Sequence, residues 1–250
     1  MTDNTSIIPF SSVHSISKWV KIFYILTISF TLISSASLMM EINLLSLLMS
    51  DENTVTDEEI DANDLQVSII GGITFVVAIT ALILFYVWYY KVYRNLPSLG
   101  GRELKSSPRR AVIYFFIPIL WFYKPYRSTV EIWKVSDPSL PTTDNDSRRQ
   151  MKTPSLIKGW WAFWIISGII GNFYLRSLPY IMSADTLQEY IRLDYIDLYT
   201  NIPIVISDLL TFFLVREIST RLEKKTRTPL GTLHRGYCDL LVSTGFSPLL

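Results

Sequence analysis

Apolar and polar residues alternate in long blocks along this chain, and four apolar blocks are long enough to predict membrane-spanning helices. A helix needs about 20 apolar residues to cross the hydrocarbon core of a bilayer. The predicted spans cover residues 19–40, 65–90, 159–176 and 198–215. This pattern predicts an all-α membrane protein with four transmembrane helices, in which residues 19–225 form the membrane domain between an N-terminal tail (1–18) and a C-terminal tail (226–250).

A fifth apolar segment is too short to cross a bilayer. Residues 111–123 carry no charge, but they number only 13 and include Pro118. On a helical wheel, the residues that follow separate into a charged side and an apolar side, as in helices that lie in the membrane interface. The charged side holds Lys124, Arg127, Glu131 and Lys134, and the apolar side holds Phe122, Tyr126, Val130 and Trp133. We therefore expect residues 111–134 to form a re-entrant and interfacial helical segment on the cytoplasmic side; a kinked fifth span is the alternative.

The distribution of charge predicts the orientation. Residues 49–66 contain seven acids and no base, whereas residues 91–158 contain thirteen bases and five acids. Of the 23 lysines and arginines, 21 fall in the N-terminal flank, this central loop and the C-terminal tail. Because basic loops remain in the cytoplasm, we expect a multi-pass protein of the cell membrane with both termini cytoplasmic.

The residue composition gives little support to catalysis. Only 18% of the residues are charged, against about 25% in soluble domains. Cys238 is the only cysteine, the two histidines lie in opposite tails, and no Ser/His/Asp set, HExxH motif or phosphate-binding loop occurs. We expect no enzyme activity, no cofactor, no metal site and no nucleic-acid partner.

One polar stripe follows the fourth predicted span. Its members share one helix face: Asp197, Asn201, Asp208 and Thr211. A carboxylate inside a membrane span is a functional candidate by default, so the stripe could carry a cation or a proton. The alternative is a seam of hydrogen bonds between neighbouring helices, and we favour it because channel-like proteins usually carry more than one buried charge per bundle.

A second candidate is a platform of basic and amphipathic residues around the fifth segment. Its members are Arg94, Asn95, Arg109, Arg110, Lys124, Arg127, Glu131 and Trp133. Bases beside a membrane attract anionic lipid headgroups. The expected partners are therefore the lipid bilayer and its anionic headgroups, with a membrane protein or a second copy of the chain as alternatives. For Arg94 and Asn95, the competing interpretation is a helix C-terminus stabilised by a cation.

Three stretches resemble a bacterial membrane family known as domain of unknown function 4328. They are YRNLPSLG (93–100), IPILWFYKPYRSTVEIWKVSDP (117–138) and GWWAFWIISGIIG (159–171), and the resemblance covers roughly residues 70–225. The chain departs from the family at Trp121, where many members have asparagine, and at Arg109 and Arg110, where Gly-Trp is usual. The resemblance implies the same architecture and a prokaryotic cell membrane, and the family has no established activity.

Two functions are compatible with these observations. The first is a non-enzymatic scaffold or accessory protein that uses a basic cytoplasmic face. The alternative is a small transporter or channel that uses the polar stripe on the fourth span.

Overall fold

The computed structural model describes residues 9–51, 54–101, 104–140, 145–181 and 186–227. Every regular element in these ranges is helical: α1 (His14–Ser50), α2 (Asp57–Arg94), a 3₁₀ turn (Pro97–Leu99), α3 (Pro108–Ile113), α4 (Lys124–Val135), α5 (Asn145–Gln150), α6 (Ser155–Ile181) and α7 (Leu187–Arg227). Four of these helices are long and apolar enough to cross a membrane, namely α1, α2, α6 and α7. The predicted all-α class with four span-length helices is confirmed.

The long helices extend beyond the apolar blocks that predicted them. Helix α2 has 38 residues, and at 1.5 Å per residue it is about 57 Å long, well over the roughly 30 Å of a hydrocarbon core. Its first turn carries Asp57, Glu58 and Glu59, where negative charge is favourable against the helix dipole. Thr56 and Glu59 exchange hydrogen bonds as a capping box. Much of the predicted acidic loop is therefore helix.

The fifth apolar segment forms turns between two short helices. Helix α3 ends at Ile113, residues 114–123 follow as consecutive turns and bends, and α4 begins at Lys124. The predicted helix at 124–134 is present, and no span-length helix forms over 111–123. The C-terminal tail from residue 228 onward, with His234 and Cys238, lies outside the described residues.

The chain divides into two compact units, and each long helix contributes residues to both. The span unit comprises Trp19–Phe85 and Lys158–Leu214. The basic unit comprises Met1–Lys18, Tyr86–Ile157 and Val215–Leu250. The basic unit thus contains α3, α4 and α5 together with the ends of the four long helices.

Aromatic rings fill the interior of the span unit. The ring of Phe85 lies 6.4 Å from that of Tyr24, 6.3 Å from that of Trp160 and 5.6 Å from that of Trp164. Many large apolar side chains on α2 in this unit are instead exposed, including Leu65, Phe75 and Val76. Such an apolar surface suits contact with lipid chains.

The basic unit has a core of its own. Trp88, Tyr93, Leu96 and Leu222 are fully buried there. The Trp88 indole donates a 2.9 Å hydrogen bond to the hydroxyl of Ser219. Because its only polar atom finds a partner, this large ring is buried without an unsatisfied donor.

Candidate functional site

Helix α4 is held in the basic unit by a face that carries hydroxyl groups. Its buried residues are Pro125, Ser128, Thr129, Ile132 and Val135. The Thr129 hydroxyl donates to the Pro125 carbonyl at 2.8 Å and lies 3.1 Å from the hydroxyl of the buried Tyr89. The buried face is therefore neither the predicted charged side nor the predicted apolar side.

The predicted charged side of α4 lines one open cavity of about 590 Å³, which we call the groove. Lys124, Arg127, Glu131 and Lys134 all reach it. Two more bases come from outside α4, Lys105 from the preceding loop and Arg148 from α5. Among the described residues, the groove thus brings together five bases and a single acid.

Glu131, the acid in the groove, is engaged by hydrogen bonds. Its carboxylate accepts one from the hydroxyl of the buried Tyr93 and another from the backbone N–H of Lys105 at 3.1 Å. Among the described residues, Glu131 forms no ion pair with Arg127, one turn earlier on α4; the Arg127 guanidinium lies 5.5 Å from the centre of the Tyr123 ring. The carboxylate therefore fixes one wall of the groove.

The loop that delivers Lys105 begins at a tight glycine pair. Gly100 has φ 84°, a left-handed conformation that glycine adopts without strain. A Cβ added to Gly101 would lie 2.9 Å from the carbonyl oxygen of Leu96. The carbonyl of Gly100 accepts a 2.6 Å hydrogen bond from the buried Arg148. Two elements that are separate in sequence are thereby joined at the edge of the groove.

Other platform residues lie elsewhere in the basic unit. Asn95 is buried and clamps Ser11, accepting from its N–H at 3.0 Å and donating to its carbonyl at 2.6 Å. Arg94, Arg109 and Arg110 are exposed. Of the eight platform residues, only Lys124, Arg127 and Glu131 reach the groove.

Trp133 belongs to a separate cluster with Arg221 and Asp137. The Arg221 guanidinium lies 3.8 Å from the centre of the Trp133 ring and 2.6 Å from the Asp137 carboxylate. Partial burial of Asp137 opposes its ionisation, but hydrogen bonds from Ser139 and the charge of Arg221 outweigh that effect and lower the pKa of the carboxyl. This cluster ties α7 to the end of α4 inside the basic unit.

The turn between α3 and α4 exposes large apolar side chains. Ile119 is 79% exposed and Phe116 is 64% exposed. Ile113 and Phe122 are also exposed. We call residues 113–122 the apolar turn. Its neighbours on both sides are basic, Arg109 and Arg110 before it and Lys124 and Arg127 after it.

The polar stripe on α7 makes hydrogen bonds to other helices of the span unit. The Asn201 amide donates to the Ser35 hydroxyl of α1 at 3.1 Å. The buried Thr211 hydroxyl accepts from the Trp160 indole of α6 at 3.1 Å. Asp197 accepts from Thr200 one turn along its own helix, and Asp208 is half-buried. Two of the four stripe residues thus join neighbouring helices.

A metal site finds no support in the part of the chain that the structure describes. There, no group of three or more His, Cys, Asp and Glu side chains could hold a metal ion.

The chemistry available at the groove is that of positive charge, hydroxyl groups and a partly apolar wall.

Comparison with known proteins adds one result. A family model described as Domain of unknown function (DUF4328) matches residues 51–220. The chain belongs to this family. The matched DUF4328 region includes every residue that lines the groove and all four residues of the stripe. No curated protein and no solved structure matches the chain.

Proposed function

We propose that this DUF4328 protein is a non-enzymatic accessory or scaffold protein of the cell membrane, whose basic unit engages anionic lipid headgroups at the cytoplasmic side. The observation that carries the proposal is the apolar turn, which exposes Phe116 and Ile119 between two pairs of bases. In an anionic membrane surface, acyl chains lie beneath a layer of phosphates. The exposed apolar side chains of the turn can contact the acyl chains while the flanking bases contact the phosphates.

Two contributions favour attachment of the apolar turn to an anionic membrane. A large apolar side chain that leaves water contributes about 1.5–3 kcal/mol. Each base near an anionic surface contributes about 1 kcal/mol, less when salt screens it. Burial of Phe116 and Ile119 would therefore favour insertion into either kind of lipid, and Arg109 and Arg110 together would add a preference of about 2 kcal/mol or less for anionic over zwitterionic lipid.

The cytoplasmic placement rests on the distribution of charge. The basic unit takes up most of the bases of residues 91–158 and of α7, and basic segments stay in the cytoplasm. Cys238 is the only cysteine of the chain and reports on the side of the C-terminal tail. An impermeant maleimide should label it only after cells are opened; labelling in intact cells contradicts the orientation.

Lipid preference tests the proposal directly. The protein is purified in detergent, and native mass spectrometry counts the phosphatidylglycerol and phosphatidylcholine molecules that it retains. The variant with Arg109, Arg110, Lys124 and Arg127 all changed to Gln should lose its excess of phosphatidylglycerol and retain phosphatidylcholine as before. An unchanged preference would refute lipid engagement by this surface and favour a protein partner.

The depth of the apolar turn is a second test. In a Cys238→Ser background, a nitroxide label on Ile119→Cys should be accessible to oxygen and shielded from a water-soluble nickel complex in anionic bilayers. The same label on the exposed Ser139→Cys supplies the aqueous reference. Equal nickel accessibility at the two positions would show that the turn stays in water.

A further inference from the structure

We propose that the groove is a binding site for a phosphorylated organic anion. This goes beyond the surface attraction described above, because it assigns one stoichiometric site of about 590 Å³ to one ligand molecule. That volume lies within the 300–1,000 Å³ typical of small-molecule pockets. The site does not depend on the exposed arginines Arg109 and Arg110, which lie outside it.

The charge of the groove selects an anion with more than one negative charge. Five basic side chains line it: Lys105, Lys124, Arg127, Lys134 and Arg148. The described residues add one carboxylate, that of Glu131, which already accepts hydrogen bonds from Tyr93 and from the Lys105 backbone. A phosphate monoester or diphosphate supplies the compensating charge and enough acceptor oxygens for several of these donors.

The groove also offers groups suited to the organic part of such a ligand. The hydroxyl-bearing residues Ser106, Ser128 and Thr153 line it, as do the apolar residues Leu104 and Val130. The first turn of α4 borders it as well, and a helix N-terminus presents a partial positive charge to an anion. A ligand with a phosphate at one end and a carbon skeleton at the other fits this mixture better than inorganic phosphate alone.

Two of the five bases are held by contacts within the protein before any ligand arrives. The ammonium of Lys124 lies 5.4 Å from the centre of the Tyr114 ring and 5.6 Å from that of Tyr123. Arg148 is buried and hydrogen-bonded to the Gly100 carbonyl. Because these side chains are already ordered, less conformational entropy is lost when an anion binds. This ordering distinguishes the groove from a surface of solvated lysines.

Isothermal titration calorimetry on the full-length protein in detergent tests the site with two probes. Inorganic pyrophosphate represents a free soluble ligand, and dihexanoyl phosphatidic acid, used below its critical micelle concentration, represents a lipid headgroup. We expect one-site binding of at least one probe, and weakening as salt is raised. Binding of the lipid alone assigns the source to a headgroup, and binding of pyrophosphate assigns it to a soluble phosphate compound.

Matched variants locate the binding. Lys105→Gln with Lys134→Gln removes two charges from the groove and should weaken binding by about tenfold or more, since hydrogen bonds to charged groups are strong. Arg109→Gln with Arg110→Gln removes two charges outside the groove and should leave affinity within about twofold, because exposed distant charges are screened. Size-exclusion profiles and thermal unfolding confirm that both variants fold.

The proposal is overturned if neither probe binds or if the two double variants weaken binding equally. Repeating the lipid-retention experiment on the two double variants separates the proposals, because Arg109→Gln with Arg110→Gln changes only the exposed surface and Lys105→Gln with Lys134→Gln changes only the groove.

Discussion

The hydroxyl of Tyr93, at the end of α2, donates a hydrogen bond to the carboxylate of Glu131 on α4. Tyr93 is fully buried, and the same carboxylate also holds the backbone N–H of Lys105. The Tyr93 side chain of α2 therefore holds Glu131 on α4 in place. Through Glu131 it also positions the loop that carries Lys105, one of the bases of the groove.

Tyr93→Phe should destabilise the protein because the Glu131 carboxylate loses a buried donor. Hydrogen bonds to charged groups contribute about 1.5–3 kcal/mol, so the thermal unfolding midpoint in detergent should fall by several degrees. Tyr123→Phe is the matched control: Tyr123 is exposed, and phenylalanine keeps the ring beside Lys124 and Arg127. Equal midpoints for the two variants would show that the Tyr93–Glu131 bond contributes nothing measurable.

Gly101→Ala should distort the loop between α2 and α3. Its new methyl group would lie 2.9 Å from the Leu96 carbonyl oxygen and 3.1 Å from a methyl carbon of Leu104. Overpacking of this kind costs about 1–3 kcal/mol, and the loop that positions Lys105 should exchange its amide hydrogens faster. Gly71→Ala adds the same methyl group where nothing lies within 4 Å. The control should be neutral or slightly stabilising, since alanine is the better helix former.

Asp137, which accepts hydrogen bonds from Ser139 and pairs with Arg221, should make stability depend on pH in the acid range. The folded-state pKa of Asp137 is lowered, so its contribution is present above the unfolded pKa of about 3.9 and is lost as pH falls through the folded value. Thermal unfolding between pH 6 and pH 3 should show this loss in the wild type and a smaller loss in Asp137→Asn. The exposed Asp61→Asn is the control. An identical acid profile in wild type and Asp137→Asn would exclude a stabilising role for the Asp137 carboxylate.

The spans and the charged side of α4 were predictable because both depend on local patterns. Length and hydropathy decide whether a helix can cross a bilayer, and the 100° rotation per residue places Lys124, Arg127 and Glu131 together. Helix ends were harder to predict, since polar residues such as Asp57 and Lys224 continue a helix beyond the apolar block.

The interior contacts of the basic unit were not predictable from the pattern. Ser128 and Thr129 count as polar on a wheel, but they are buried because Tyr89, 40 residues from Thr129, satisfies a hydroxyl there. No local pattern indicates that Arg148, rather than another arginine, donates a hydrogen bond to the carbonyl of Gly100. Such assignments depend on long-range partners. The sequence therefore predicted part of the groove's basic lining and missed what fixes it in place.

The polar stripe on α7 should act as a seam between helices, because its side chains form hydrogen bonds with α1 and α6. Thr211→Val keeps the shape of the side chain and removes the oxygen that accepts from the Trp160 indole. Interhelical hydrogen bonds in membrane proteins contribute about 0.6–2 kcal/mol, so the unfolding midpoint should fall.

Thr220→Val is the matched control for that variant. Both threonines donate to the carbonyl four residues earlier at 2.8 Å, but Thr220 is exposed on the same helix. The difference between the two variants therefore isolates the bond to Trp160. Flux measurements test the competing transport hypothesis: proteoliposomes with wild type and with Asp208→Asn should leak protons and monovalent cations at the rate of empty vesicles. A wild-type flux that Asp208→Asn abolishes would overturn the seam interpretation. A stripe that only joins helices by hydrogen bonds conducts no ions, so a change at Asp208 would have no flux to abolish.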